Sequence, residues 1–167
     1  IDDVEVFQDF LASIKPGNGT LNFVHTIFPH RPWDILPNLQ AYEAPKVPKV
    51  NKTGARSVSY HRYLWQVGAA DHMVGDMVTH LKSINKYDEA LIILTADHGL
   101  SFRVGYPIRG GVDQQDASAL HIPLIVKLPH SAETGLTEKP VTNLDIVPTI
   151  VDVLGGTVPW ETDGLSV

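Results

Sequence analysis

Ala90-Leu91-Ile92-Ile93-Leu94-Thr95-Ala96-Asp97-His98-Gly99 is the stretch on which the reading of this chain turns. Its first five residues form an unbroken apolar run of strand length, rich in β-branched side chains, which suits a strand covered on both faces. Two groups able to do chemistry, a carboxylate and an imidazole, follow at its end. A glycine comes next, and it lets the backbone pass close to a neighbour. In layered α/β folds ligands bind beyond the carboxyl ends of strands. A hard carboxylate oxygen beside a borderline imidazole nitrogen suits Zn, Mn or Mg, and the carboxylate alone suits Ca. Asp97 and His98 are therefore candidate metal ligands, against the plainer alternative of a turn capped by Asp97.

Working outward, two further segments read as strands. Residues 21–27 are apolar and β-favouring, and residues 122–128 follow with Pro123 near the start, where a lost donor is tolerable. Helices are predicted between them. Val4, Phe7, Phe10, Leu11 and Ile14 recur at helical spacing behind the acidic pair Asp2-Asp3, until Pro16-Gly17 stops the run. A longer helix is expected from Ser57 or Ser59 to about Leu81, with Gly68 and Gly75 inside it as points of close packing. A last helix carries Val147, Ile150, Val151 and Leu154 on one face, with Asp145 as its N-cap, Pro148 in its first turn and Gly155 at its end. Residues 32–53, broken by Pro32, Pro37, Pro45 and Pro48, and residues 105–118 read as loops. This order predicts one domain over residues 1–167, an α/β layered fold with a mostly parallel sheet flanked by helices.

A second polar cluster stands at the end of the strand expected over residues 21–27. His25, His30 and Arg31, beside Pro29, Pro32 and Trp33, are donors able to face an oxyanion, the arginine through its planar fork. Arg103 and Arg109, in the loop after Asp97-His98, are further candidates for anion contact. His72, Asp76 and His80 fall at i, i+4, i+8 on the long helix and read as its solvated face. His121 at a strand start and His130 read as structural or surface residues. The triplets Asn18-Gly19-Thr20 and Asn51-Lys52-Thr53 match the glycosylation acceptor pattern, which arises easily by chance.

Composition narrows the classes of function. The chain has 167 residues, enough to bury a core, and a formal charge of −6 from 13 basic and 19 acidic residues. Scattered basic residues on an acidic chain argue against nucleic acid as a partner. With no cysteine, disulfides, thiolate ligands and a cysteine nucleophile are excluded within these residues. An Ile at the first position is expected of a processed or cut chain.

Taken together, Phe28-Pro29-His30-Arg31-Pro32-Trp33, residues 66–75, Leu94-Thr95-Ala96-Asp97-His98-Gly99, residues 122–129, Asp145-Ile146-Val147-Pro148-Thr149-Ile150 and Asp163-Gly164-Leu165-Ser166 resemble, in order, the later portion of the sulfatase family of the alkaline-phosphatase-like superfamily. That resemblance implies Asp97 and His98 as metal ligands, and His30 as the group that faces the sulfate or phosphate and stabilises charge or protonates the leaving oxygen. It implies a divalent metal, Ca for a sulfatase and Mn, Mg or Zn for a phosphotransferase. Partners are then a sulfate- or phosphate-ester substrate and an N-terminal portion of the same protein. Sulfatases carry their nucleophile in a Cys/Ser-x-Pro-x-Arg motif, which does not occur here, so the 167 residues are expected to be inactive by themselves. A cell-envelope transferase with an upstream threonine nucleophile, and a non-catalytic interaction domain that keeps the fold, are the alternatives. Similarity to bacterial members with membrane-embedded N-terminal segments implies a domain outside the cytoplasm.

Overall fold

The computed structural model describes residues 3–17, 19–43, 52–106 and 117–167. Arg109, Asn18 and Asn51 lie outside the described residues. The chain divides into two compact units, Ile1–Tyr87 with Phe102–Gly105, and Asp88–Ser101 with Tyr106–Val167.

The first unit is built on two helices. α1 (Asp3–Ser13) buries Phe7 and Leu11, and Ile14 is buried just past its end. The 3.6-residue period places these three on one face. The Asp3 carboxylate, in the first turn, accepts a hydrogen bond from Ile27 N at 2.7 Å, which is a structural use of the acidic start. α2 (Lys52–Ser83) has 32 residues and runs about 48 Å. It begins several residues before the serines expected to start it, with no proline between Pro48 and Ser57 to stop the helix propagating backward. Its C-terminus closes through Asn85, which adopts φ 57°, while Lys86 N and Tyr87 N both reach the Leu81 carbonyl. A Cβ at Gly68 would press on the Pro37 ring at 3.1 Å, so a close approach does explain this glycine. Gly75 has open space among the described residues, and the same explanation fails there.

Residues 21–27 do not form a strand. Leu21 and Phe23 are each 82% exposed. β-propensity marks a segment that fits a pleated surface, but the ladder needs a neighbour, and none pairs with it among the described residues. Within the proline-broken stretch that follows, Ile35 and Ala41 form an isolated antiparallel bridge, with Leu39 at φ 66° in the turn.

The second unit contains the sheet. β1 (Ile92–Thr95) pairs antiparallel with β2 (Leu124–Lys127), Ile92 opposite Lys127 and Thr95 opposite Leu124. The expected mostly parallel sheet is corrected to this two-stranded antiparallel one. A parallel pair needs a crossover, usually a helix, and the one described element between these strands is the single 3₁₀ turn Ala117–Ala119. β1 is also half-buried along its length rather than covered on both faces. Lys127 Nζ donates to the carbonyls of Asp88 and Ala90 at 2.8 and 3.1 Å, tying the end of β2 to the residues leading into β1.

α3 (Ile146–Val153) follows a 3₁₀ turn, Asn143–Asp145. Asp145 immediately precedes the helix, but its carboxylate makes no cap bond to it. Instead Thr142 and Asp145 form a reciprocal capping box around the 3₁₀ turn. Pro148 lies in the first turn and Gly155 ends the helix at φ 69°, both as expected. The face expected to be apolar is only partly covered: Ile150 and Val151 are half-buried and Val147 and Leu154 exposed, while the buried residues of the helix are Pro148 and Thr149. No helix among the described residues is long and apolar enough to cross a membrane.

Candidate functional site

The candidate residues fall into two groups, one in each unit. His25, His30, Arg31 and Arg103 belong to the first; Asp97 and His98 belong to the second. Arg109 is not among the described residues.

In the second unit the chain leaves β1 at Thr95 and turns through Ala96 into Asp97-His98-Gly99. The Asp97 carboxylate accepts from His98 N at 2.9 Å through Oδ1. That leaves Oδ2 available, and it lies 3.8 Å from His98 Nε2. The other ring nitrogen, Nδ1, lies 2.9 Å from the Gly99 carbonyl oxygen. A carbonyl can only accept, so Nδ1 carries the hydrogen and Nε2 is the ring nitrogen on the side of Asp97 Oδ2. Metal–ligand bonds of about 2.0–2.6 Å allow one cation to touch two atoms this far apart. An imidazole whose far N–H is held by a carbonyl is the usual state of a metal-bound histidine. The pair therefore fits a divalent cation as two of its ligands. No group of three or more acidic or histidine side chains that could hold a metal gathers among the described residues, so the pair by itself does not make a metal site there.

The loop is held in place by contacts from far along the chain. Gly99 N donates to the Ala119 carbonyl at 2.8 Å. A Cβ on Gly99 would overlap the Ser118 carbonyl oxygen and crowd that of His121, so lack of space, rather than backbone angle, demands glycine here. Ser101, two residues on, is fully buried. Asn143 donates through Nδ2 to the Ala96 carbonyl and accepts from the Thr95 hydroxyl through Oδ1, both at 2.9 Å. Reading by residue type passed over Thr95 and Asn143, since neither titrates or binds metals well. Their one sequence signal is position: Thr95 between strand and loop, Asn143 beside the helix start.

In the first unit His30 sits between two cis bonds, Phe28–Pro29 and Arg31–Pro32. Its backbone N donates to the Ile27 carbonyl at 2.6 Å. Its Nδ1 faces the Arg31 carbonyl at 2.7 Å, so Nε2 is again the outward nitrogen. Trp33 is buried and its indole N–H donates to the Pro29 carbonyl at 2.9 Å. The Arg31 guanidinium lies over that ring at 5.6 Å, a cation–π distance. Phe102 and Tyr63 pack on Trp33, with centroids at 5.5 and 6.3 Å. Burial, and then the neighbouring Tyr60, raise the Tyr63 phenol above its ordinary pKa. His30, Arg31, His25 and Arg103 are exposed. So Arg31 rests on an aromatic base beside His30, while His25 lies in the irregular segment before them.

Three further histidines have other uses. His72 Nδ1 lies 3.2 Å from the Pro37 carbonyl, with Nε2 3.8 Å from Asp76. His80 reaches the Ile14 carbonyl at 3.4 Å, and His130 occupies a left-handed turn with its N–H on the Asp88 carbonyl.

Known proteins resemble the chain over most of its length. The sulfatase family profile matches residues 1–156. An N-acetylglucosamine-6-O-sulfatase from Bacteroides thetaiotaomicron is 25% identical over 159 residues, covering 88% of this chain and 28% of that protein. A multifunctional alkaline phosphatase superfamily protein, PehA from Trinickia caryophylli, is 29% identical over 113 residues, covering 62% of this chain and 20% of that one. Among solved structures, a phosphonate monoester hydrolase from Silicibacter pomeroyi superposes with a TM-score of 0.61 at 29% identity, over 78% of this chain and 25% of that chain. The chain thus spans roughly a quarter of the length of these relatives.

Proposed function

From the premise that the chain belongs to the sulfatase family, of the alkaline-phosphatase-like superfamily, we propose that the whole protein is a metal-dependent hydrolase of sulfate esters, to which these residues contribute part of the active site. The observation that carries this reading is the convergence of Asp97 Oδ2 and His98 Nε2, with the far nitrogen of the imidazole tied to the Gly99 carbonyl. It supplies a two-ligand grip at the end of a strand, in the stretch that carries the family resemblance. Calcium is the cation expected for a sulfatase, and Mn, Mg or Zn for action on phosphorus. When bound, such a cation supplies positive charge against the ester oxygens and the nucleophile.

The residues of this chain then have distinct tasks. Asp97 and His98 hold the cation, His98 through Nε2 with its Nδ1 hydrogen on the Gly99 carbonyl. His30, through its outward Nε2, stabilises charge on the ester or gives a proton to the leaving oxygen. Arg31, braced on Trp33, and His25, Arg103 and Arg109 are the groups assigned to anion contact. The nucleophile and the remaining acidic ligands are assigned to a portion of the protein N-terminal to these residues. By themselves the 167 residues are expected to be inactive. Placement outside the cytoplasm on a membrane-anchored protein belongs to the same proposal.

A second reading, hydrolysis at phosphorus, draws support from the phosphonate monoester hydrolase, which shares the fold over 78% of this chain. Purified full-length protein assayed on an aryl sulfate and an aryl phosphonate monoester, with Ca, Mg, Mn or Zn, decides between them. Metal-dependent turnover of the sulfate supports the first reading, and turnover of the phosphonate alone supports the second. No turnover of either with any metal overturns both, in favour of an interaction domain that keeps the fold.

A further inference from the structure

Asn143 has no place in the assignments above, yet its side chain joins two parts of the second unit that are 47 residues apart in sequence. Its amide nitrogen donates to the carbonyl of Ala96, the residue immediately before Asp97. The amide oxygen accepts from the hydroxyl of Thr95, the last residue of β1. Both ends of the amide are therefore in use, and the two bonds fix which way it faces. One bond grips the backbone at Ala96 and the other the side chain of Thr95, at the point where strand becomes loop, and together they bear on the direction in which Asp97 and His98 leave β1.

Asn143 is itself held firmly. Thr142 accepts from Leu144 N, and the Asp145 carboxylate accepts from Thr142 N at 2.7 Å, closing the turn that carries Asn143. The other oxygen of Asp145 accepts from Leu165 N at 2.8 Å. A Cβ on Gly164 would overlap the Leu144 carbonyl, so the backbone of residues 164–165 packs directly against this turn. Support thus passes from the tail through Asp145 to the turn, and from Asn143 to the residues that precede the metal pair.

We infer that Asn143 is a positioning residue for the Asp97–His98 pair, setting the spacing of Oδ2 and Nε2 by holding Thr95 and Ala96. This rests on the reading of that pair as metal ligands. Groups behind the ligands of a metal site typically change metal affinity by about 10- to 100-fold when removed. Asn143→Ala removes both bonds. Thr95→Val removes one and leaves the Asn143–Ala96 bond in place.

The test uses metal-free full-length protein titrated calorimetrically with CaCl2 and MnCl2, beside thermal unfolding without metal. Asn143→Ala is expected to weaken the affinity about 10- to 100-fold, and Thr95→Val to weaken it less. Excess metal is expected to restore turnover in both. Affinity within twofold of wild type in a folded Asn143→Ala overturns the inference. Should that variant fail to fold, wild-type affinity in Thr95→Val overturns it instead. Asp97→Asn separates the two layers of the argument. Strong binding by wild type that Asp97→Asn abolishes and Asn143→Ala leaves intact sinks the positioning role while the metal reading stands. Wild type that binds neither cation overturns both.

Discussion

The loops that carry His30 and His98 orient their imidazoles by the same local device and are supported by different kinds of contact, aromatic packing in one and hydrogen bonds and close backbone approach in the other. Each ring rests its Nδ1 on the backbone carbonyl of the next residue, Arg31 in one case and Gly99 in the other, and presents Nε2 outward. The His30 loop is held partly by its own sequence, Trp33 bonding the Pro29 carbonyl four residues back, and partly by Tyr63 and Phe102 packed on the buried Trp33 ring. The His98 loop is held by groups far along the chain, Ala119 and Ser118 against Gly99, and Asn143 against Thr95 and Ala96. An imidazole can thus be oriented by its neighbour in sequence, whereas the backbone that leads into Asp97-His98 is held by residues distant in sequence.

The largest way to separate the two loops is to remove their chemistry. Asp97→Asn in the full-length protein is expected to abolish measurable metal binding and lower kcat/KM by roughly 10³-fold or more. Calorimetry with steady-state kinetics checks it, and retained metal affinity would break the assignment of this loop. His30→Gln is expected to lower kcat about 10²-fold with metal affinity unchanged. A variant that loses metal as well would put both loops on the same task.

Smaller effects probe the two kinds of support. Gly99→Ala drives a methyl group into the Ser118 carbonyl and should destabilise by about 1–3 kcal/mol in urea unfolding. Trp33→Phe keeps most of the buried ring and loses the bond to Pro29, an expected cost of about 1 kcal/mol. If the ranking reverses, the His30 loop is the more constrained of the two.

The smallest effect concerns the turn behind Asn143. Backbone N–H groups of Leu165 and then Thr142 hold the Asp145 carboxyl below its ordinary pKa against the opposing effect of desolvation, with a smaller contribution from the Thr142 hydroxyl. A carboxyl lowered on folding stabilises the protein above its unfolded-state pKa, and that contribution is lost as the pH falls through the folded value. Thermal stability should therefore decline on acidification below the ordinary carboxylate range. Asp145→Asn should remove a small part of that decline, which melting curves from neutral to acidic pH measure.

Much of the fold was legible in the residues. The periodicity of Phe7, Leu11 and Ile14 placed α1, Pro148 and Gly155 bracketed α3, and the apolar run before Asp97 placed β1. The start of α2 was misjudged because helices fray and propagate without a sharp signal when no cap is present. Residues 21–27 carry a strand's composition, but a strand is a property of a pair, and its exposed Leu21 and Phe23 have no ladder to join among the described residues.

What the sequence by itself determined is whatever depends on near neighbours: helix faces, turn residues, and the adjacent carboxylate and imidazole of Asp97-His98. Tertiary structure alone decided the antiparallel pairing of β1 with β2, the space that makes Gly99 necessary, and the grip of Asn143 on Thr95 and Ala96. The reason is physical. A hydrogen bond between residues dozens of positions apart leaves no periodic trace in the chain, and a missing Cβ acquires meaning only when another backbone occupies its place.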